Sequence, residues 1–141
     1  MKKLISLSVL ALLVVSFFSV SSIAANKKKQ TVVSKSAKVE VYYFHFTRRC
    51  MTCNAVESES KVAITALYPT QAKKGLITFK AVNLDEKTSE ALAKKCNAEG
   101  QALLVISGGK RVDLTEQGFM YAKSSPLRLK AELKKTIDPF F

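Results

Sequence analysis

Histidine and cysteine are scarce in this chain, and each shortage excludes a class of site. Only one histidine, His45, occurs among the 141 residues, so a zinc site containing a His-x₃-His pair is excluded. Of the three cysteines, only Cys50 and Cys53 are closely spaced, which excludes a site made of two Cys-x-x-Cys pairs. No segment interleaves aromatic with basic residues as nucleic-acid modules do, so no nucleic-acid partner is expected.

Acidic residues are also few, since 11 face 23 lysines and arginines and leave a formal net charge of +12. A charge of this sign favours weak association with an anionic membrane surface or with acidic partners. A solvated, lysine-rich surface also explains it and is the interpretation that we favour.

The N-terminus has the pattern of a secretory signal peptide, predicted over residues 1–25. A short basic start precedes an apolar run from Leu4 to Val20, and small residues suitable for cleavage follow at Ala24 and Ala25. The pattern predicts export, to the periplasm, and the alternative is an uncleaved N-terminal membrane anchor. Residues 26–38 are polar and predicted to be a flexible linker.

Residues 39–141 are predicted to form one α/β domain of the order βαβαββα. The run Val39–Phe46 is typical of a buried strand, and a helix is expected from near Cys50 to Tyr68, ended by Pro69. Further strands are expected at 76–84, 102–106 and 111–115, the last two joined by a hairpin turn at 107–110.

Two shorter segments complete the prediction. A short helix is capped by Thr88 or Ser89, and Ser125 with Pro126 opens the final helix. That helix is expected to bury Leu127, Leu129, Leu133 and Ile137. Gln117-Gly118-Phe119 is read as a bend, and the first three strands as parallel. The result is a three-layer domain whose central mixed sheet of about four strands has helices on both faces.

The pair Cys50-Met51-Thr52-Cys53 lies where the first strand passes into the first helix. Two thiols at this spacing can close a disulfide with each other. A helix N-terminus stabilises a thiolate, so the pKa of Cys50 is expected below the ordinary value for a thiol. Arg48 and Arg49 either add to this effect or are only solvated charges of the loop.

This element order, with Cys-x-x-Cys between the first strand and the first helix, resembles the thioredoxin-like superfamily. The segment from Tyr43 to Asn54 is similar to a thioredoxin-like group labelled nitrophenyl-compound nitroreductase subunit. The chain has no flavin or nicotinamide motif, so that labelled activity is not expected of it alone. The resemblance implies that Cys50 is the nucleophile and Cys53 the resolving thiol.

Three positions depart from the thioredoxin pattern. Arg49 replaces the tryptophan before the first cysteine, and Phe44 replaces a buried aspartate six residues before it. Gln101 replaces the cis-proline opposite the disulfide. A trans peptide is expected there because a non-proline cis bond costs about 3 kcal/mol, and the Gln101 amide then faces a partner or the thiolate.

Three further residues, Glu57, His45 and Cys96, are considered for roles in or near the site. Glu57, one turn beyond Cys53, is either a proton acceptor for the resolving thiol or a surface residue. His45 is expected to be a satisfied histidine in or near the core. Cys96 is expected to be a small buried apolar residue, although Cys50, Cys53 and Cys96, with His45, also match a Cys₃His zinc set by count.

The sequence therefore predicts an exported thiol–disulfide oxidoreductase or electron-transfer protein whose only redox group is the Cys50–Cys53 disulfide. Its expected partners are thiols or disulfides of exported proteins, or a membrane redox donor. The first alternative is a copper or zinc module that binds metal through Cys50 and Cys53. The second is a non-catalytic thioredoxin-like interaction domain.

Overall fold

The structure, a computed structural model, describes residues 38–141. The predicted signal peptide, and all of the predicted linker except Lys38, lie outside the described residues. Within 38–141, no helix combines the length and the apolar character needed to cross a bilayer.

Four strands and five α-helices make up this part of the chain. The strands are β1 (Val39–His45), β2 (Ile77–Asn83), β3 (Ala102–Ser107) and β4 (Lys110–Asp113). The helices are α1 (Met51–Leu67), α2 (Pro69–Lys73), α3 (Glu90–Lys95), α4 (Thr115–Tyr121) and α5 (Pro126–Ile137). A 3₁₀ turn at Lys87–Ser89 precedes α3, and another at Asp138–Phe140 follows α5.

The four strands form one mixed sheet in the order β2-β1-β3-β4. Strand β1 pairs with β2 in parallel and with β3 antiparallel, so the prediction of three parallel strands was wrong. The six residues of α3 span only about 9 Å, whereas β2 spans about 23 Å. The chain therefore re-enters the sheet from the end at which it left, and β3 runs the other way.

Helices cover both faces of the sheet, which confirms the three-layer α/β architecture. Alternate residues of β1 and β3 point to opposite sides. Val41, Tyr43 and Leu103 pack in the larger core beneath α1, α4 and α5. Tyr42, Phe44 and Leu104 pack on the other face, together with residues of α3 and the loop after it.

The helix boundaries mostly follow the proline and cap signals. Pro69 ends α1 as predicted, but it also occupies the first turn of α2, a position that suits its missing N–H. In α5, Leu129, Leu133 and Ile137 are fully buried. Leu127 is 81% exposed and was wrongly assigned to the apolar face, because two residues of helix turn it by about 200° from Leu129.

The segment read as a bend at Gln117-Gly118-Phe119 is the middle of α4. Gly118 is buried there, and a Cβ atom at this position would lie 3.2 Å from Leu103 Cδ2 and 3.3 Å from Val56 Cγ1. The absence of a side chain therefore lets α4 approach both the sheet and α1. This glycine serves close packing, not a turn.

Candidate active site

Cys50 and Cys53 lie at the end of β1 and the start of α1. Cys50 is the N-cap residue, and its Sγ accepts a hydrogen bond from the backbone N–H of Cys53 at 3.2 Å. The Sγ atoms of the two cysteines are 2.6 Å apart. The two sulfur atoms thus lie next to each other at the N-terminus of α1, where the backbone N–H groups of the first turn have no partner within the helix.

Cys50 is the exposed member of the pair. Hydrogen bonds from the Cys53 thiol and from the backbone N–H of Cys53 lower the pKa of the Cys50 thiol below its ordinary value. These donors stabilise the thiolate, which is the nucleophilic form. Cys50 therefore combines access with reactivity.

Cys53 is the buried member, with only 4% of its surface exposed. Burial, followed by the hydrogen bond with Cys50, raises the pKa of the Cys53 thiol. Its Sγ also lies 3.3 Å from Oε1 of Gln101, a second acceptor to which its single S–H can donate in place of Cys50 Sγ. All peptide bonds in residues 38–141 are trans, which confirms the expectation for Gln101.

Arg49 connects the cysteine loop to helix α1. Its guanidinium forms a salt bridge with Glu57, and Nη2 lies 2.8 Å from Nε2 of His45. Since arginine can only donate, Nε2 of His45 accepts, and its Nδ1–H donates to the Phe46 carbonyl at 3.0 Å. His45 is 5% exposed and is a satisfied, near-core histidine, as predicted.

These contacts differ from the roles that were expected of Arg49 and Glu57. Arg49 was considered as a stabiliser of the Cys50 thiolate, but its guanidinium is committed to Glu57 and His45. The largest contributions to the low pKa of Cys50 are hydrogen bonds from Cys53, not the arginine charges. Glu57 pairs with Arg49 and makes no hydrogen bond to Cys53 within the described residues, so no direct path for a proton runs from the Cys53 thiol to Glu57.

Replacing Arg49 with alanine is expected to lower the free energy of unfolding by about 1 kcal/mol, because it leaves the half-buried Glu57 and the His45 ring nitrogen without their donor. Arg48 is exposed, so Arg48→Ala is the matched control and should change stability by less than about 0.5 kcal/mol. Urea unfolding followed by circular dichroism measures both. Equal losses in the two variants would show that the network does not stabilise the loop.

The loop before the cysteines is hydrogen-bonded to the last residue of β2 and to the two residues that follow it. The backbone N–H of Thr47 donates to the Asp85 carboxylate at 2.7 Å, and the Asn83 amide donates to the Thr47 hydroxyl at 3.0 Å. The N–H of Leu84 also donates to the His45 carbonyl at 2.7 Å. These bonds place Arg48 and Arg49 on the approach to Cys50 without any glycine or proline in the loop.

Cys96 is not brought to the pair. It is 3% exposed and packs with Tyr42 and Leu104 on the opposite face of the sheet, as expected for a small buried apolar residue. Within residues 38–141, no three histidine, cysteine or acidic side chains are grouped to hold a metal ion. The Cys₃His set is therefore not assembled, and a metal site would have to use Cys50 and Cys53 without Cys96.

Comparisons with known proteins give no family assignment. No protein-family model matches the chain, and no curated protein matches it. The geometry of the pair, together with the sequence pattern, therefore carries the functional argument.

Sequence reasoning overlooked Tyr43, which is fully buried on the α1 side of the sheet. Counting six residues back from Cys50 drew attention to Phe44, whose side chain lies on the other face with Tyr42 and Leu104. The alternation of β1 is the signal that would have found Tyr43, because it places Val41, Tyr43 and His45 on one face.

Proposed function

We propose that this protein is a thiol–disulfide oxidoreductase or electron-transfer protein, with Cys50 as the nucleophile and Cys53 as the resolving thiol. The observation that carries the proposal is the asymmetry of the pair. Cys50 is exposed and has a lowered pKa, whereas Cys53 is buried and has a raised pKa. Exchange through a mixed disulfide needs this division between an accessible attacking thiolate and a protected second thiol.

The proposed exchange has two steps. The Cys50 thiolate attacks one sulfur of a partner disulfide, and the partner's other sulfur leaves as a thiolate. Cys53 then loses its proton to solvent and attacks Cys50 Sγ, which closes the Cys50–Cys53 disulfide and releases the partner's second sulfur. The partner gains two electrons and the pair loses two. The reverse sequence oxidises a partner dithiol.

The architecture supports a thioredoxin-like origin for this chemistry. The mixed sheet, its helices on both faces and the pair at the β1–α1 junction all agree with the resemblance seen in the sequence. Gln101 lies one residue before β3 and touches Cys53, at the position where a thioredoxin carries its cis-proline. The Gln101 amide can accept from the Cys53 thiol and, after rotation, donate to the thiolate.

The surface around Cys50 suits a protein partner. Met51, the first residue of α1, is 72% exposed, and Phe46, in the loop before the pair, is 39% exposed. Exposed apolar side chains beside a reactive thiol offer contact area to a partner. With the signal pattern of residues 1–25, the proposed partners are thiols or disulfides of exported proteins, or a membrane redox donor.

Equilibration with glutathione buffers of graded potential tests the proposal. The Cys50–Cys53 couple is expected to change reversibly between dithiol and disulfide, as counted by alkylation and mass spectrometry. Cys96→Ala is the background for the measurement and should leave the midpoint unchanged. An ordinary thiol pKa at Cys50 together with no reversible couple would contradict the proposal. Stoichiometric copper or zinc on the reduced protein would instead favour the metal-binding alternative.

A further inference from the structure

Tyr43 carries a buried hydroxyl group that has no hydrogen-bond partner. The residue is 0% exposed, and its Oη atom meets no donor or acceptor in hydrogen-bonding geometry. Its strand neighbours are apolar, since it pairs with Ala81 on one side and Leu103 on the other. A buried hydroxyl in this state is destabilising and calls for an explanation.

The proposed resolving thiol lies on the same side of the sheet as this hydroxyl. Cys53 is buried on the face of α1 that also carries Val56, and Val56 packs with Tyr43 in the larger core. The Cys53 Sγ lies 3.3 Å from Gln101, one residue before the strand that pairs with Tyr43. Burial first, and then the negative charge that Cys53 carries as a thiolate, raise the pKa of the Tyr43 hydroxyl. The Tyr43 side chain and the Cys53 thiol thus lie on the same side of the sheet, and no hydrogen bond joins them in this structure.

Three other buried hydroxyls are also unpaired, those of Ser60, Thr78 and Ser107. Tyr43 differs from them because Cys53, whose sulfur becomes charged during the proposed exchange, contributes to the raised pKa of its hydroxyl. A phenol is a good donor to an anion, and hydrogen bonds to charged groups are stronger than neutral ones.

We propose that the Tyr43 hydroxyl donates a hydrogen bond to the Cys53 sulfur whenever that sulfur is a thiolate, and so favours the resolving step. This inference rests on the proposed function. In the oxidising direction for the pair, Cys53 gives its proton to solvent, and the thiolate held by Tyr43 attacks Cys50 Sγ as the partner sulfur leaves. In the other direction, Cys53 is the leaving thiolate and Tyr43 stabilises it. The phenol keeps its proton in both directions.

Tyr43→Phe tests the inference in a Cys50→Ser/Cys96→Ala background, where Cys53 is the only cysteine. Titration of carbon-13-labelled Cys53 Cβ by NMR is expected to show the midpoint rising by about one pKa unit, a tenfold drop in the thiolate-to-thiol ratio. Alkylation of Cys53 by iodoacetamide at about pH 8 should slow several-fold, because it follows the thiolate fraction.

Tyr42→Phe is the matched control. It makes the same chemical change one residue away, but Tyr42 packs on the opposite face of the sheet, so the Cys53 midpoint and alkylation rate should not move. Thermal unfolding separates a structural role, because Tyr43→Phe removes an unpaired hydroxyl and should leave the melting temperature equal or higher. An unchanged midpoint and rate in a folded Tyr43→Phe variant would overturn the inference. Loss of reversible redox behaviour in the unmodified pair would instead overturn the proposed function.

Discussion

Replacing Cys53 with alanine is expected to convert a transient adduct into a long-lived one. Cys50 keeps its exposure and its helix-terminal position, so it still attacks a partner disulfide. Resolution is lost because the second thiol, 2.6 Å from Cys50 Sγ, is gone. Well-placed intramolecular groups act at effective concentrations far above those of any external thiol, so an adduct facing about 1 mM external thiol should last at least about a thousandfold longer.

The trapped species is measured by non-reducing electrophoresis and mass spectrometry after mixing with a peptide disulfide. Cys50→Ser should form no adduct, and Cys96→Ala should behave like the unaltered pair because Cys96 lies across the sheet. An adduct that clears equally fast with and without Cys53 would show that Cys53 is not the resolving thiol. An adduct formed on Cys53 in the Cys50→Ser variant would reverse the assigned parts.

Replacing Gly118 with leucine is expected to lower the free energy of unfolding by about 2–3 kcal/mol. The new side chain enters the contact between Leu103 and Val56, which are both fully buried. Leucine has a higher helix propensity than glycine by somewhat under 1 kcal/mol. The destabilisation from steric overpacking must therefore exceed this gain in helix propensity. A net loss in stability then reports the close approach of α4 directly.

Gly100→Leu is the control for this substitution. No atom lies within 4 Å of a Cβ placed at Gly100, so its effect should stay below about 0.5 kcal/mol. Both variants are compared by urea denaturation. A Gly118→Leu variant as stable as the parent would mean that α4 can move away from the sheet at little cost.

The fold was largely predictable because its strands and helices have distinct patterns. The unbroken apolar run of β1 and the proline signals at Pro69 and Pro126 identified their elements correctly. Strand direction was not predictable from these patterns, since it depended on the length of α3 in space. The helical position of Gly118 was not predicted either, because a glycine in a helix and a glycine in a bend cannot be told apart from sequence until the packing partners are known.

The site was predictable where it depended on neighbours in sequence. The spacing of Cys50 and Cys53 and their place at a helix start were both visible in the chain. The position of Gln101 beside the cysteine pair was anticipated from a resemblance. Its contact with Cys53 in particular, and the commitment of Arg49 to Glu57 and His45, were not. That network joins a strand, a loop and a helix, and only the packing of α1 on β1 defines it.

The best residue at position 50 for capping helix α1 differs from the residue that the proposed chemistry requires. Its sulfur is the acceptor that closes the first turn of α1, yet serine, threonine, aspartate and asparagine are the residues that cap helices best. A serine at position 50 would serve the helix at least as well and leave the protein without its proposed nucleophile. Selection for stability alone would therefore drive this position away from cysteine, which makes it a site of stability–activity trade-off.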